Sequence, residues 1–209
     1  MKLYQFPFSP NSQKVVAFAY EVGVPLTKQT VNLFKGETRT PEMLAKNPNG
    51  KVPILEDGEF VLWESNAILG YLAGVAGRAD LAPTGVRERA EVERSLSWQN
   101  AHFGPAVRKV VIERVVKKLG GLGPPDEALV KQGTAEFEVV ARVLDACLEG
   151  REYLCGTLTI ADFALIPQAA ILDDCGLDLS PYRHAAAWRS RMLTRPSVRR
   201  MLAEVRAAA

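Results

Sequence analysis

Apolar positions along the first third of the chain switch repeatedly between the strand and the helix period. Lys2 to Phe6 is a short β-type run, and Pro7-Phe8-Ser9-Pro10-Asn11-Ser12 is a loop dense in turn formers and helix-capping residues. From Asn11 or Ser12 the pattern becomes helical: Val15, Phe18, Ala19 and Val22 fall at i, i+3, i+4 and i+7, and Gly23 ends it. Thr27 to Leu33 is again β-rich. Strand, helix, strand describes one βαβ unit, with the right-handed crossover expected of such units.

Pro41 to Lys46 allows only a short helix. Val52 to Leu55 and Phe60 to Trp63 then read as two strands joined at Glu56-Asp57-Gly58-Glu59, where Asp-Gly is a hairpin signal. A helix follows from Ser65 to near Gly77. The order βαβ then ββα matches a thioredoxin-like layout, a small mixed sheet with helices on both faces.

Residues 79–86, with Pro83 and Gly85, carry no periodic pattern and read as a linker; nothing after them resembles a strand. Arg87 to Lys118 is helical in pattern, with Gly104-Pro105 expected to bend or break it. Gly120 to Pro125 ends it. Glu127 to Leu148 forms the next helix, and Thr159-Ile160-Ala161-Asp162 is a capping-box variant opening the apolar run from Phe163. Pro181 to Leu193 and Ser197 to Val205 complete a helical bundle, with Pro196 suited to the last helix start. The expected fold class is α/β plus all-α: a thioredoxin-like domain over 1–78, the linker 79–86, and an all-helical domain over 87–209.

Composition narrows the partners. The 209 residues carry a net charge of +2, with 47% apolar and 24% charged residues, ordinary values for a soluble globular chain. Neither a polyanionic nor a membrane partner is indicated. The arginines near the C-terminus alternate with apolar residues, as on a solvated helix face, so no nucleic-acid site is read there. Cys147, Cys155 and Cys175 lack the spacing of zinc or redox motifs, and His102 and His184 have no ligand cluster around them, so no metal is implied. A reduced, cytoplasmic setting without a signal peptide is the expectation.

One stretch breaks the ordinary strand pattern. Pro53 sits inside an apolar β run, where it removes a ladder donor, and a cis bond is an option at such a place. The backbone of Val52 is then suited to pair with an extended peptide. Glu64 and Ser65 stand at the next helix start, where backbone N–H groups attract an anion, the Ser65 hydroxyl adds a donor and Glu64 can take a cationic amine. Together they describe a receptor for a small zwitterion with a peptide backbone.

Val52-Pro53, Glu64-Ser65 and Gly156-Thr157-Leu158-Thr159-Ile160-Ala161-Asp162, set in a thioredoxin-like domain followed by an all-helical one, resemble the soluble glutathione S-transferases over essentially the whole chain. Ser9-Pro10-Asn11-Ser12-Gln13-Lys14-Val15 looks most like bacterial members and the serine-dependent theta and phi types. The resemblance implies a cis Pro53, glutathione paired along Val52, and its γ-glutamyl end on Glu64 and Ser65. Lys51 matches a position near the peptide. Arg39, rather than Thr38, matches the phi-type basic residues for the glycine carboxylate.

The same resemblance implies conjugation of the glutathione thiolate to hydrophobic electrophiles, with glutathione as co-substrate and a homodimer as the assembly. The thiol is largely protonated at neutral pH, so the site must favour the anion. Ser9 is the expected donor to sulfur, and Asn11 and Ser12 are its competitors. Ser12 reads first as a helix cap and Ser9 first as chemistry. Tyr4 lies within the first strand and reads as a sheet residue. Phe8, Trp98, His102 and Phe103 are the expected lining of the electrophile pocket, although aromatics at helical spacing are as often core. Glutathione-dependent peroxidase or dehalogenase activity, or a non-catalytic interaction role, are alternatives on the same scaffold.

Overall fold

Leu3, Ile54 and Leu55, each at most 1% exposed, sit on the two neighbouring strands at the centre of a four-stranded sheet. The computed structural model describes residues 1–208. The chain divides into two compact units, Met1–Thr84 with the segment from Thr194 on, and Gly85–Leu193.

In the first unit β1 (Lys2–Gln5), β2 (Thr27–Thr30), β3 (Ile54–Asp57) and β4 (Phe60–Trp63) form a mixed sheet in the order β2-β1-β3-β4. β1 and β2 are parallel, and β1–β3 and β3–β4 are antiparallel, with Tyr4 opposite Ile54 and Ile54 opposite Trp63. The parallel pair requires a crossover, which is α1 (Pro10–Val22). Val15, Ala17 and Phe18 on α1 and Ile68, Leu69 and Leu72 on α3 (Ser65–Val75) are all fully buried. Burying each large side chain among them contributes about 1.5–3 kcal/mol, which is what holds the two packed helices together. The short α2 (Pro41–Lys46) follows a one-turn 3-10 segment, Glu37–Arg39.

β2 is shorter than the β-rich run Thr27 to Leu33. Val31 N–H still reaches the Gln5 carbonyl at 2.8 Å, but the Asn32 side chain then accepts from the N–H groups of Phe34 and Lys35. That local turn competes with the ladder and leads the chain away. α1 also starts earlier than expected, at Pro10, because Ser9 is its cap.

The second unit is helical. α4 (Val86–Trp98), α5 (Gly104–Val111) and α6 (Lys117–Gly120) run on through two π segments, Gln99–Phe103 and Ile112–Val116. Gly104-Pro105 therefore does not break the helix. Gly104 N–H bonds the Gln99 carbonyl five residues back, and the wider turn absorbs the proline. α7 (Glu127–Cys147) packs on α5. Its Gly133 leaves no room for more: an added Cβ would stand 2.7 Å from Val110 Cγ2.

α8 (Ile160–Ala170) is buried from Ile160 to Ala169. It is followed by the short α9 (Leu172–Cys175), which the sequence pattern did not announce, and by α10 (Arg183–Thr194).

The last helix, α11 (Pro196–Ala207), was expected in the helical domain but groups with the first unit. It packs on α1, where Ser197 Oγ donates to Glu21 at 2.6 Å and Arg195 pairs with the same carboxylate. Sequence adjacency to α10 gave no hint of those partners.

Candidate active site

The loop between β1 and α1 is fixed by its own hydrogen bonds. Ser9 N–H donates to the Phe6 carbonyl at 2.9 Å, Phe6 N–H donates to Ser12 Oγ at 3.3 Å, and Gln13 Nε2 donates to the Pro7 carbonyl at 2.8 Å. Ser9 Oγ accepts from Ser12 N–H at 3.4 Å and caps the helix. The roles expected of the two serines are thus partly exchanged. Ser12 lies inside the helix, fully buried, with its oxygen committed to the loop backbone. Ser9 is only half-buried, and capping uses a lone pair and leaves its O–H free to donate.

Three other segments complete the site. Val52 and Pro53 are joined by a cis peptide bond, directly ahead of β3. Val52 belongs to a cluster with Tyr4, Phe6, Val31, Met43 and Ile54, against which Phe8 packs. Tyr4, as a sheet residue, donates its hydroxyl to Glu56 at 3.0 Å.

The Asn47 side chain ties the preceding loop, donating to the Lys51 carbonyl at 2.9 Å and accepting from Asn49 N–H at 3.0 Å. Arg39 lies across Gly50: a Cβ there would come within 2.9 Å of its Cδ and Nε, so a larger residue would displace this side chain. That brings the Arg39 cation beside the segment that carries exposed Lys51. Arg39 and Lys51 together give one end of the site a positive character suited to a carboxylate.

At the other end α3 begins. Glu64 has φ 70° and ψ 106°, a backbone region that side-chain-bearing residues seldom occupy, and no side chain caps the helix. Its first-turn N–H groups stay available to an anion. The Ser65 hydroxyl donates to Asn11 Oδ1 at 3.4 Å, so the starts of α1 and α3 face each other.

Sequence reasoning missed Lys14 and Asn66. Lys14 is fully buried on α1, and its Nζ donates to Asn66 Oδ1 at 2.9 Å. Burial pushes its pKa down to about 7, against an upward pull from the Glu64 carboxylate. One signal was legible: Lys14 stands four residues before Phe18, on the apolar stripe of the helix.

The comparisons match this layout. Residues 1–74 match the glutathione S-transferase N-terminal domain and residues 101–196 the C-terminal domain. The chain belongs to the glutathione S-transferase family. It is 33% identical to glutathione S-transferase 3 of Zea mays over 98% of this chain and 94% of that protein. Glutathione transferase F7 of Populus trichocarpa superposes with a TM-score of 0.89 at 28% identity, covering 98% of each chain. A glutathione S-transferase I bound with lactoylglutathione gives a TM-score of 0.89 at 29% identity, covering 97% of this chain and 98% of that one.

The activity is that of a glutathione S-transferase, with glutathione as co-substrate. The maize and poplar relatives are plant proteins, so the bacterial and theta-like part of the expected kinship gains no support from them.

In the helical unit Phe103 is fully buried between Trp98 and Phe137, with ring centroids 5.7 and 6.4 Å apart, which is a packing role. His102 is exposed and lines a cavity of about 290 Å³ with Pro105, Glu136 and Val139. Among the described residues no group of His, Cys, Asp or Glu is arranged to hold a metal ion. Among the same residues no helix is long and apolar enough to cross a membrane.

Proposed function

We propose that glutathione lies extended along Val52, with its γ-glutamyl end at Glu64 and Ser65 and its glycine carboxylate near Arg39 and Lys51. Ser9 then donates its O–H to the sulfur. The thiol releases its proton to solvent, and the thiolate attacks an electrophilic carbon and displaces the leaving group. Ser9 stabilises the anion and forms no covalent bond itself.

The observation that carries this reading is the pairing of two helix starts through Ser65 and Asn11, one uncapped and one capped by a serine whose proton is still available. It favours a serine-type, phi-like enzyme. Asn11, tied to Ser65, positions the pair; Ser12 is enclosed and does not meet the sulfur.

Purified protein is expected to be retained on immobilised glutathione and to conjugate an aryl halide. Ser9→Ala should keep the retention and lose about 10²-fold in kcat, the scale of removing one donor to a developing anion. Equal kcat in Ser9→Ala would overturn the role given to Ser9. Trp98 and His102 are the proposed electrophile contacts of the helical unit, with Phe103 supporting Trp98 from the core.

A homodimer is proposed on the exposed apolar side chains Phe60, Val61 and Trp63 of β4, checked by sedimentation. A cytoplasmic location fits the family and the free cysteines.

A further inference from the structure

Lys14 is a charged side chain in a place that charges avoid. It is fully exposed to no solvent, sits on the face of α1 that packs on α3, and donates to Asn66, the second residue of that helix. The ammonium also acts on the Glu64 carboxylate. Its hydrogen-bond partner Asn66 and the Glu64 charge that acts on it thus stand on either side of Ser65 in sequence. Ser65 is itself held to α1 through Asn11, three residues before Lys14.

We propose that Lys14 is a positioning residue for glutathione: a buried cation that holds the Glu64-Ser65-Asn66 corner in shape and makes the start of α3 more attractive to the γ-glutamyl carboxylate. The proposal rests on the glutathione site described above. It adds to that site a group that touches no ligand and works through Asn66, Glu64 and the local potential.

Two physical arguments support it. A buried ammonium is costly unless something is gained from it, and a methionine of similar length would fill the same space without that cost. The uncapped helix start already carries positive partial charge, and a cation behind it deepens the potential felt by a carboxylate in front.

Among the described charged groups, the Glu64 carboxylate is the one that acts on Lys14. From α3 the facing groups are Glu64 and the neutral Asn66. From α11 and the residue before it, Arg195, Arg200 and Glu204 meet the far end of α1 at Glu21 and Tyr20. From the sheet, Tyr4, Glu56 and Lys46 form a network of their own.

Because Lys14 titrates at about 7, its charge at neutral pH is only partly formed, and a bound carboxylate raises the charged fraction. Binding should therefore take up protons just above pH 7. S-methylglutathione is the probe, since it has the same γ-glutamyl end but no thiol to ionise.

Calorimetry of the wild-type protein in buffers of different ionisation enthalpy at pH 7.5 is expected to show net proton uptake on binding S-methylglutathione. Lys14→Met should fold with an unchanged or higher melting temperature and show no uptake. It should bind S-methylglutathione about tenfold more weakly at pH 6, with the gap closing by about pH 8.5. Its KM for glutathione should rise while kcat at saturation stays within about threefold of the wild type. Lys14→Arg, which keeps the charge at every pH, should restore affinity at pH 6 and hold it at pH 8.5.

Absence of proton uptake by the wild-type protein would overturn the proposal whether or not the variants fold. So would unchanged affinity in Lys14→Met beside a weakened Ser65→Ala, which would leave Lys14 a core residue only. If Ser65→Ala also bound S-methylglutathione unchanged, the site itself would be misplaced and both readings would fall.

Discussion

Helices α3 and α8 start in opposite ways. At α8 the Thr159 hydroxyl accepts from Ala161 N–H at 3.3 Å, and the Asp162 carboxylate accepts from Thr159 N–H at 3.0 Å, Leu154 N–H at 3.1 Å and Trp188 Nε1–H at 2.8 Å. Every one of these groups is enclosed, and the helix end is complete without a ligand. At α3 no side chain caps the helix, and its first residue follows a glutamate at φ 70°. The hydroxyl there donates to a neighbouring exposed asparagine. A helix start that closes on itself organises a core; the open one, with a buried lysine behind it, is the start proposed above to hold glutathione.

The largest expected effect breaks the closed end. Asp162→Ala strands three buried donors and is expected to cost on the order of 4–5 kcal/mol in denaturant unfolding. The glutathione affinity of the folded fraction should not change, because the groups at this helix start are paired within the chain.

Next comes the lysine behind the open end. Above about pH 7 the folded protein has released the Lys14 proton, whereas the unfolded chain keeps it to about 10.5. In that window the unfolded state holds more protons, so stability rises with pH. The gain is at most about 5 kcal/mol over the whole window, of which about 3 kcal/mol falls below pH 9. Lys14→Met should flatten this component of the stability–pH curve, measured by urea unfolding between pH 6 and 9.

Ser65→Ala probes the open end directly. It is expected to weaken S-methylglutathione binding by about 2 kcal/mol, the scale of a hydrogen bond to a charged group, while melting within a degree or two of the parent. A large loss of stability instead would mean that the α3 start is a structural element like that of α8.

The smallest effect separates strain from binding at one residue. Glu64→Gly relieves the unfavourable backbone angles and should stabilise the fold by about 1 kcal/mol, yet raise the KM for glutathione. Stabilisation without a change in KM would remove Glu64 from the site.

The sequence disclosed much of this, unevenly. The capping box at Thr159 and Asp162 was legible because both partners lie within one turn, and so was the order of the strands and the hairpin at Asp57-Gly58. Val52, Glu64 and Ser65 stood out as candidates because a proline in a strand and an acid–hydroxyl pair at a helix start are local anomalies. The roles of Ser9 and Ser12 were harder. Either can cap a helix beginning here, and the choice falls to the Phe6 N–H, which turns Ser12 inward. The placement of α11 on α1 was hidden, since it depends on Glu21 meeting Arg195 and Ser197 across most of the chain length.

What the chain alone determined is therefore what short-range chemistry can determine: which segments are helix or strand, where they start and stop, and which residue types offer donors and charges. Tertiary structure decided the rest. It brought Asn11 to Ser65, laid Arg39 across Gly50 and enclosed Lys14 under Asn66, contacts between residues far apart in sequence. The physical reason is that burial and electrostatic environment belong to the packed fold. The same lysine on a solvated helix face would be an ordinary cation, and only the packing of α3 over α1 gives it a pKa near 7 and a place behind the open helix start.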